Sequence, residues 1–463
     1  MFEPRGVAHE PMDLSDRRVL VFGLATSGRA AVELLRRRGA RVTGVDENAT
    51  LLASPWSRSQ LETASAVADP ALLRGIALFV LSPGIPLTHP FVRAATAAGV
   101  PVISEIELGF RCTRAAVAAI TGSKGKSTTT ALAGALLAAQ GKRCAIAGNI
   151  GAPFAAVADT LGPDDWVVLE LSSFQLETVD RFHARAAVHL GISPDHLDRY
   201  PDLEAYAAAK ARIVRHQAPS DVLVVHTSES HAARVAGTTP ARVVGFDPDW
   251  KGTGVTRRGD TIVWRERGAE EVLAEVAEVP LLGAHNVRNA MAALALVRAL
   301  GPMNDAVRDA LRGFQGLPFR MQPAGAIGGI QFVNDSKATT VDAVAAAVAG
   351  FPGTVMLGLG GRNKELDFTP LRQHLQRVRI AFTLGEAAPE IEAALAGAVA
   401  FERVRDLDQM VARALAHGRH GDTLVFSPGC TSFDMFRNAE HRGEEFDAAV
   451  ERARTRAEKE ATT

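Results

Sequence analysis

The chain has 463 residues, with 51 Lys+Arg against 52 Asp+Glu, too long for one core and too evenly charged to present a field to a nucleic-acid backbone or an anionic membrane. Three cysteines, Cys112, Cys144 and Cys430, show none of the close spacings of a zinc site and argue against a disulfide framework. The start Met1-Phe2-Glu3-Pro4-Arg5 has no apolar leader core, and each later apolar run is cut by Gly, Pro or charge. The expectation is a cytoplasmic, monomeric chain of about three domains whose partners are small molecules, with no nucleic acid and no membrane.

The first segment opens with the strand pattern Arg18-Val19-Leu20-Val21-Phe22 and the turn Gly23-Leu24-Ala25-Thr26-Ser27-Gly28. A helix pattern to Arg38 and a second strand, Arg41 to Val45, ending at Asp46, complete a βαβ unit. Ala25 stands where a dinucleotide fingerprint has its middle glycine, so a NAD site is weakly supported. A mononucleotide such as a uridine nucleotide at the strand ends and a purely structural βαβ unit both fit these residues. Leu78 to Leu81 reads as a buried strand that stops at Ser82-Pro83-Gly84, another strand end of the kind that holds ligands in open α/β sheets.

The second segment carries the most informative string, Ile120-Thr121-Gly122-Ser123-Lys124-Gly125-Lys126-Ser127-Thr128. It follows the apolar run Ala115 to Ile120 and precedes the helix-forming stretch Ala131 to Gln140. Strand, phosphate loop and helix in that order wrap a polyphosphate in backbone N–H groups, aim a helix N-terminus at it, and supply Lys126 for the outer phosphates and the Ser127 hydroxyl for Mg²⁺. The match is to the short T-G-x-x-G-K-S form, since Ile120 occupies the first glycine position of the longer pattern. Trp166 to Leu171 is an apolar run punctured by Glu170. Ala186 to Ile192 is a further strand ending in Ser193-Pro194-Asp195-His196, and Asp202 to His216 is helical and carries Lys210.

The third segment begins after Gly316-Leu317-Pro318. Its strands Gln331 to Val333, Val355 to Leu359 and Thr423 to Phe426 each run into a polar, glycine-bearing or proline-bearing turn, and a charged tail after Glu451 is expected to fray. The fold class expected is three α/β domains: a Rossmann-like domain over residues 1–112, a phosphate-loop ATPase-like domain with a parallel sheet over 113–316, and a second Rossmann-like domain over 317–463.

Glu170 ends an apolar strand, where an ionised carboxylate needs a partner. A Mg²⁺ shared with Ser127 is one, and an arginine is the alternative. Alone, His196 reads as a structural histidine and Lys210 as a solvated lysine.

Read in order, Thr121 to Ser127, Gly148-Asn149-Ile150-Gly151, Glu170-Leu171-Ser172-Ser173-Phe174-Gln175-Leu176-Glu177, Asp195-His196-Leu197-Asp198-Arg199 and Asn334-Asp335-Ser336-Lys337-Ala338-Thr339 resemble the Mur ligase family. The likeness runs from about Val19 to Phe446. It is narrowest to the branch that joins D-glutamate to UDP-N-acetylmuramoyl-L-alanine in cytoplasmic peptidoglycan synthesis. The resemblance implies an ATP-dependent ligase working through an acyl phosphate, with two Mg²⁺ ions and a carbamylated lysine. It assigns Thr26, Ser27, Asp46 and Ser82 to the uridine nucleotide, and Asn149, Ser172 and Gln175 to the muramoyl-alanine end. Gly122, Ser123, Lys124, Gly125, Lys126, Ser127, Thr128, Asn286, Asn289, Arg320 and Asp335 fall to ATP. Ser127 with Glu170, and His196 with carbamylated Lys210, fall to the two metals, and Lys337, Thr339, Lys364, Ser432 and Phe433 to the incoming glutamate. It also implies that the last domain closes over the cleft to exclude water.

The chain departs from the family's pattern at Ala25, at Lys124 in place of Asn, at Phe319 in place of His, and at Ala439 in place of a bulky aromatic. A folylpolyglutamate synthetase, which shares the phosphate loop, is the nearest rival, and the nucleotide-like first domain argues against it. A nucleotide-binding regulator and a dehydrogenase are rivals of another class.

Overall fold

A computed structural model describes residues 11–196, 199–351, 353–363 and 365–462, the last three without their side chains. The strands among the described residues, in chain order, are β1 (Arg18–Phe22), β2 (Arg41–Val45), β3 (Thr63–Ser65), β4 (Leu78–Leu81), β5 (Val102–Ser104), β6 (Ala116–Thr121), β7 (Cys144–Gly148), β8 (Trp166–Glu170), β9 (Ala186–His189), β10 (Val222–His226), β11 (Arg242–Phe246), β12 (Gly254–Arg258), β13 (Thr261–Glu266), β14 (Ala269–Glu275), β15 (Gln322–Ile327), β16 (Ile330–Asn334), β17 (Val355–Gly360), β18 (Val378–Leu384), β19 (Ala400–Arg403) and β20 (Thr423–Gly429).

They form three sheets, ordered β3-β2-β1-β4-β5, β14-β13-β12-β11-β10-β9-β6-β8-β7 and β15-β16-β20-β17-β18-β19. The first is parallel throughout. The second is parallel from β7 to β12 and then turns antiparallel through β13 and β14, and in the third only the β15–β16 pair is antiparallel. Helices cover both faces, so the central strands are buried along their whole length: β4, β6, β8 and β9 have no exposed residue. That is why these strands read as continuous apolar runs.

The residues fall into two compact units, 1–279 with 288–314, and 280–287 with 315–463. The first unit contains the first two sheets, so the boundary expected at 112/113 divides two sheets of one unit. The helix Glu105–Cys112 holds them together from the inside. Ser104 caps it, and buried Glu107 accepts N–H bonds from Asp180, Arg181 and Phe182 at 2.9, 3.0 and 3.0 Å and from Arg111 Nε at 2.6 Å. Glu105 takes the Ala155 N–H at 2.5 Å, and Arg37 pairs with Asp159 at 3.0 Å.

The structure changes several element boundaries. The helix after the phosphate loop starts at Lys126 rather than Ala131, because the loop's last glycine is already its N-cap. β9 stops at His189, short of Ile192, where Gly191 adopts φ +104°. The helical stretch from Asp202 is an α-helix over Leu203–Ala211 and a 3₁₀ turn over Arg212–Val214. The tail does not fray after Glu451: a helix runs over Ala439–Thr462. Phe446, Ala449, Val450 and Ala453 bury one side of it against the third sheet's core, and Arg452 pairs with Asp408 at 2.7 Å. Its polar face is the part visible to composition alone.

Candidate active site

Thr121 closes β6, and the loop that follows bends through Gly122 (φ +149°) and Gly125 (φ +82°), conformations L-residues rarely adopt. Space excludes side chains there too. A Cβ at Gly122 would lie 2.8 Å from Leu190 Cβ, and one at Gly125 2.2 Å from Asn289 Oδ1. The Ser123 N–H binds Gly191 O at 3.0 Å; its hydroxyl donates to Ser193 O at 3.0 Å and lies 3.2 Å from the Tyr206 hydroxyl. Lys126 arches back so that its ammonium donates to Gly122 O and Ser123 O at 2.9 and 3.0 Å. Ser127 is buried in the first helical turn, Thr128 is half-buried, and Lys124 is exposed.

β8 delivers Glu170 beside this loop, since β6 and β8 pair in parallel with Ile120 opposite Glu170. Glu170 is buried; its Oε1 accepts from Asn149 Nδ2 at 2.7 Å, while Oε2 is buried with no hydrogen-bond partner. The hydroxyls of Thr129 and Thr130 are likewise buried and unpartnered. An ionised carboxylate with one bare oxygen is costly inside a protein. The pair Ser127 and Glu170 therefore suits a hard, oxygen-seeking cation. Just after β8, Ser172 caps a short helix in a capping box with Gln175: the Gln175 N–H reaches Ser172 Oγ at 3.2 Å and the Ser172 N–H reaches Gln175 Oε1 at 2.9 Å.

Lys210 comes from the helix Leu203–Ala211, which Asp202 caps. It is 1% exposed and its ammonium lies 4.8 Å from the centre of the Tyr206 ring. Burial first, and Lys126 second, hold its pKa well below the ordinary lysine value, with Asp195 and Glu170 pulling the other way. The electrostatic partners show that Lys126, Glu170, Asp195 and Lys210 share one neighbourhood. His196 sits at φ +55°, its ring 4.8 Å from that of Phe174 and 6.0 Å from that of Tyr206, with Nε2 3.6 Å from Asp195 Oδ2. Among the described residues no three His, Cys, Asp or Glu side chains gather as a metal cluster.

The first sheet builds a second polar edge in the same unit. Asp46 directly follows β2 and accepts the Leu24 N–H at 2.6 Å and the Asn48 N–H at 2.8 Å, fixing the loop that runs into Thr26 and Ser27 at the start of the helix Thr26–Arg37. From the end of β4, Ser82 donates its hydroxyl to Gly23 O at 2.7 Å. Asp46 and Ser82 thus brace the glycine loop from both sides, and Ala25 is exposed on it.

In the second unit, Asp335 directly follows β16. Burial pushes its carboxyl up to about 6, opposed by the Ser427 hydroxyl, the Met321 N–H and Arg320. Lys337 pairs with Glu440 at 3.1 Å; Ser432 is buried, Phe433 exposed, Thr339 half-buried and Arg320 exposed. Asn286 donates to Leu282 O at 2.7 Å. Phe319, where the family pattern has His, stands at φ +61° and packs on Gly443, where a Cβ would lie 2.4 Å from its ring. Ala439 offers its carbonyl to the Ser336 hydroxyl at 2.8 Å. Lys364 lies outside the described residues.

Sequence reading missed three residues. Tyr206 joins Ser123 to Lys210. His189 closes β9 beside Thr121, with both ring nitrogens buried and unpartnered and its pKa pushed down to about 4 by burial, then by Lys210. Glu177, the last residue of its quoted string, holds Arg199 and Tyr200. A polar residue inside an apolar stretch was the available signal for His189 and Tyr206.

Three family models match the chain: the MurD-like N-terminal domain of Mur ligases over residues 17–104, the Mur ligase middle domain over 120–297 and the Mur ligase glutamate ligase domain over 319–430. A UDP-N-acetylmuramoylalanine--D-glutamate ligase of Acidobacterium capsulatum is 41% identical over 451 residues, covering 95% of this chain and 97% of its own. One from Myxococcus xanthus is 40% identical over 455 residues, covering 95% and 99%. Among solved structures, the MurF ligase of Thermotoga maritima in complex with ADP superposes with a TM-score of 0.61 at 16% identity, covering 95% of this chain and 96% of that one, a likeness of fold.

Proposed function

Because the chain belongs to the Mur ligase family, we propose that it joins D-glutamate to UDP-N-acetylmuramoyl-L-alanine at the expense of ATP, an acid–amino-acid ligation of peptidoglycan synthesis. The observation that carries the reading is the bare, buried Glu170 oxygen beside a phosphate loop whose lysine and serine are in place. A merely nucleotide-binding regulator has no need of that arrangement together with a buried lysine. The rival synthetase reading is not favoured by the two relatives at 40% identity or more over 95% of the chain.

The chemistry assigns each group a task. The alanyl carboxylate displaces ADP from the γ-phosphorus and becomes an acyl phosphate. The glutamate amine then adds to that carbonyl, and the tetrahedral adduct expels phosphate to leave the amide while the amine loses its proton. Two Mg²⁺ ions, held by Ser127 with Glu170 and by His196 with Lys210, would supply positive charge to the transferred oxygens. Lys126, freed from its own loop's carbonyls, binds the same oxygens, and the Gly122–Gly125 backbone N–H groups cradle the phosphates. Burial favours the neutral amine of Lys210, the form that adds CO₂ to become a carboxylate able to ligate a cation. Asn149 fixes one oxygen of Glu170, leaving the other available to hold a cation. Thr26, Ser27, Asp46 and Ser82 take the nucleotide end and Ser172 and Gln175 the acyl end. Asn286, Asn289, Arg320 and Asp335 for ATP, and Lys337, Thr339, Lys364, Ser432 and Phe433 for glutamate, rest on the family pattern.

The test is substrate-dependent phosphate release. Phosphate should appear only when ATP, Mg²⁺, the UDP-substrate and glutamate are all present. Release with a pteroate acceptor in place of the UDP-substrate would support the synthetase instead.

A further inference from the structure

Arg199 reaches from the central sheet's substrate edge to the first sheet's. Its Nε and Nη2 grip Glu177 at 3.1 and 2.5 Å, its Nη1 donates to Pro83 O at 3.0 Å and its Nη2 to Ile85 O at 3.5 Å. The guanidinium lies 4.1 Å from the centre of the Phe174 ring, which is also the ring His196 packs on. Glu177 is held further by the Tyr200 hydroxyl at 2.6 Å, and its carbonyl by Arg212. Arg199 and Glu177 side chains are 14% and 12% exposed, so the pair is largely shielded from solvent. The planar fork grips a carboxylate through two nitrogens and serves two carbonyls as well, four bonds that the three N–H groups of a lysine ammonium cannot reproduce.

The two ends of this strut are the two substrate edges. Pro83 to Ile85 continue from Ser82, which braces the glycine loop, and Ile85 is bonded back to Ser82 O at 3.1 Å. Phe174 and Glu177 belong to or adjoin the capped turn of Ser172 and Gln175. We propose that Arg199 is a positioning residue that sets the span between the nucleotide loop and the acyl-end turn, so that a UDP-linked donor of the right length brings its carboxylate to the phosphate loop at Lys126. The proposal rests on the ligase reading and adds to it a device for donor selection.

A residue that only held the fold would weaken every ligand alike. A spacer weakens only the ligand that touches both ends. Arg199→Met keeps the stem over Phe174 and removes all four hydrogen bonds. Calorimetry on the full chain should show UDP alone bound within about twofold of wild type and UDP-N-acetylmuramoyl-L-alanine bound roughly tenfold or more weakly, with the ATP KM within about twofold. Equal loss for UDP and the full donor, or no loss for either, overturns the proposal. If Arg199→Met does not fold, Glu177→Gln, which keeps the shape and removes the charge, carries the same test with the same two outcomes. Failure of the wild-type chain to bind the full donor more tightly than UDP would count against the ligase reading itself, a separate result.

Discussion

Glu170 shows how far a single residue can be read. One carboxylate in an otherwise apolar strand announces that something must compensate it, and the structure gives it half a partner, Asn149, and leaves the second oxygen bare. Glu170→Gln keeps the Asn149 contact's geometry and removes the charge. Turnover should fall by about a hundredfold or more while the UDP-substrate still binds, measured by phosphate release and by calorimetry. Near-normal turnover at ordinary Mg²⁺ would sink the assignment. Lys210 was legible only through the family's pattern, because an Ala-rich helix gives no hint that its one lysine is buried. Its 1% exposure is a fact of packing against Tyr206. Lys210→Ala should be nearly inactive and partly restored by acetate, whose carboxylate can stand in for the carbamate. Full activity without added acid would make it a structural lysine. His189 stayed hidden for the opposite reason: within a short strand a histidine looks like any polar interruption, and only the neighbouring strands show that both nitrogens are sealed in.

At the scale of elements, the strand-loop-helix around Gly125 was visible because its chemistry leaves little choice of residue. Gly125→Ala faces a left-handed backbone and an Asn289 oxygen 2.2 Å from the new Cβ. A strain of about 1–2 kcal/mol plus the displaced side chain should lower kcat/KM for ATP by roughly ten- to a hundredfold, with UDP-substrate binding unaffected. An unchanged ATP profile would show that the loop relaxes freely. The helix Glu105–Cys112 was not read at all, since its two buried glutamates look like a solvated face in sequence. Burial raises the Glu105 carboxyl from 4.5 to about 7, against the N–H groups of Ala155 and Phe154. A raised pKa means that the folded chain holds a proton the unfolded chain has lost. The stability from this group is therefore full below about pH 4.5 and lost as pH rises through 7, about 3 kcal/mol in all. Glu105→Gln has no such dependence. Its melting temperature relative to wild type should rise between pH 5 and pH 8; a difference that does not change with pH would contradict the burial argument.

For the whole molecule, the alternation of strand and helix with polar strand ends was enough to read a three-domain α/β fold, because buried parallel strands write themselves as apolar runs. The antiparallel addition of β13 and β14 was not read: the apolar run in β13 is only Ile262-Val263-Trp264, and the flanking strands carry Arg257, Arg258, Glu270 and Glu271 at exposed or half-exposed positions. The terminal helix was misread because only every third or fourth residue of it meets the core. The two units were also not separable from composition, since the contacts that bind the first two sheets lie in side chains such as Arg37 and Glu107. Among the described residues no helix is long and apolar enough to cross a membrane.

The formation of one amide bond is tested most directly by the mass of one product. Incubated with ATP, Mg²⁺, UDP-N-acetylmuramoyl-L-alanine and either enantiomer of glutamate, the chain should yield the donor plus one glutamyl residue with D-glutamate, with ADP and phosphate in equal amounts. No such mass with D-glutamate, or the same yield with the L-enantiomer, would contradict the account.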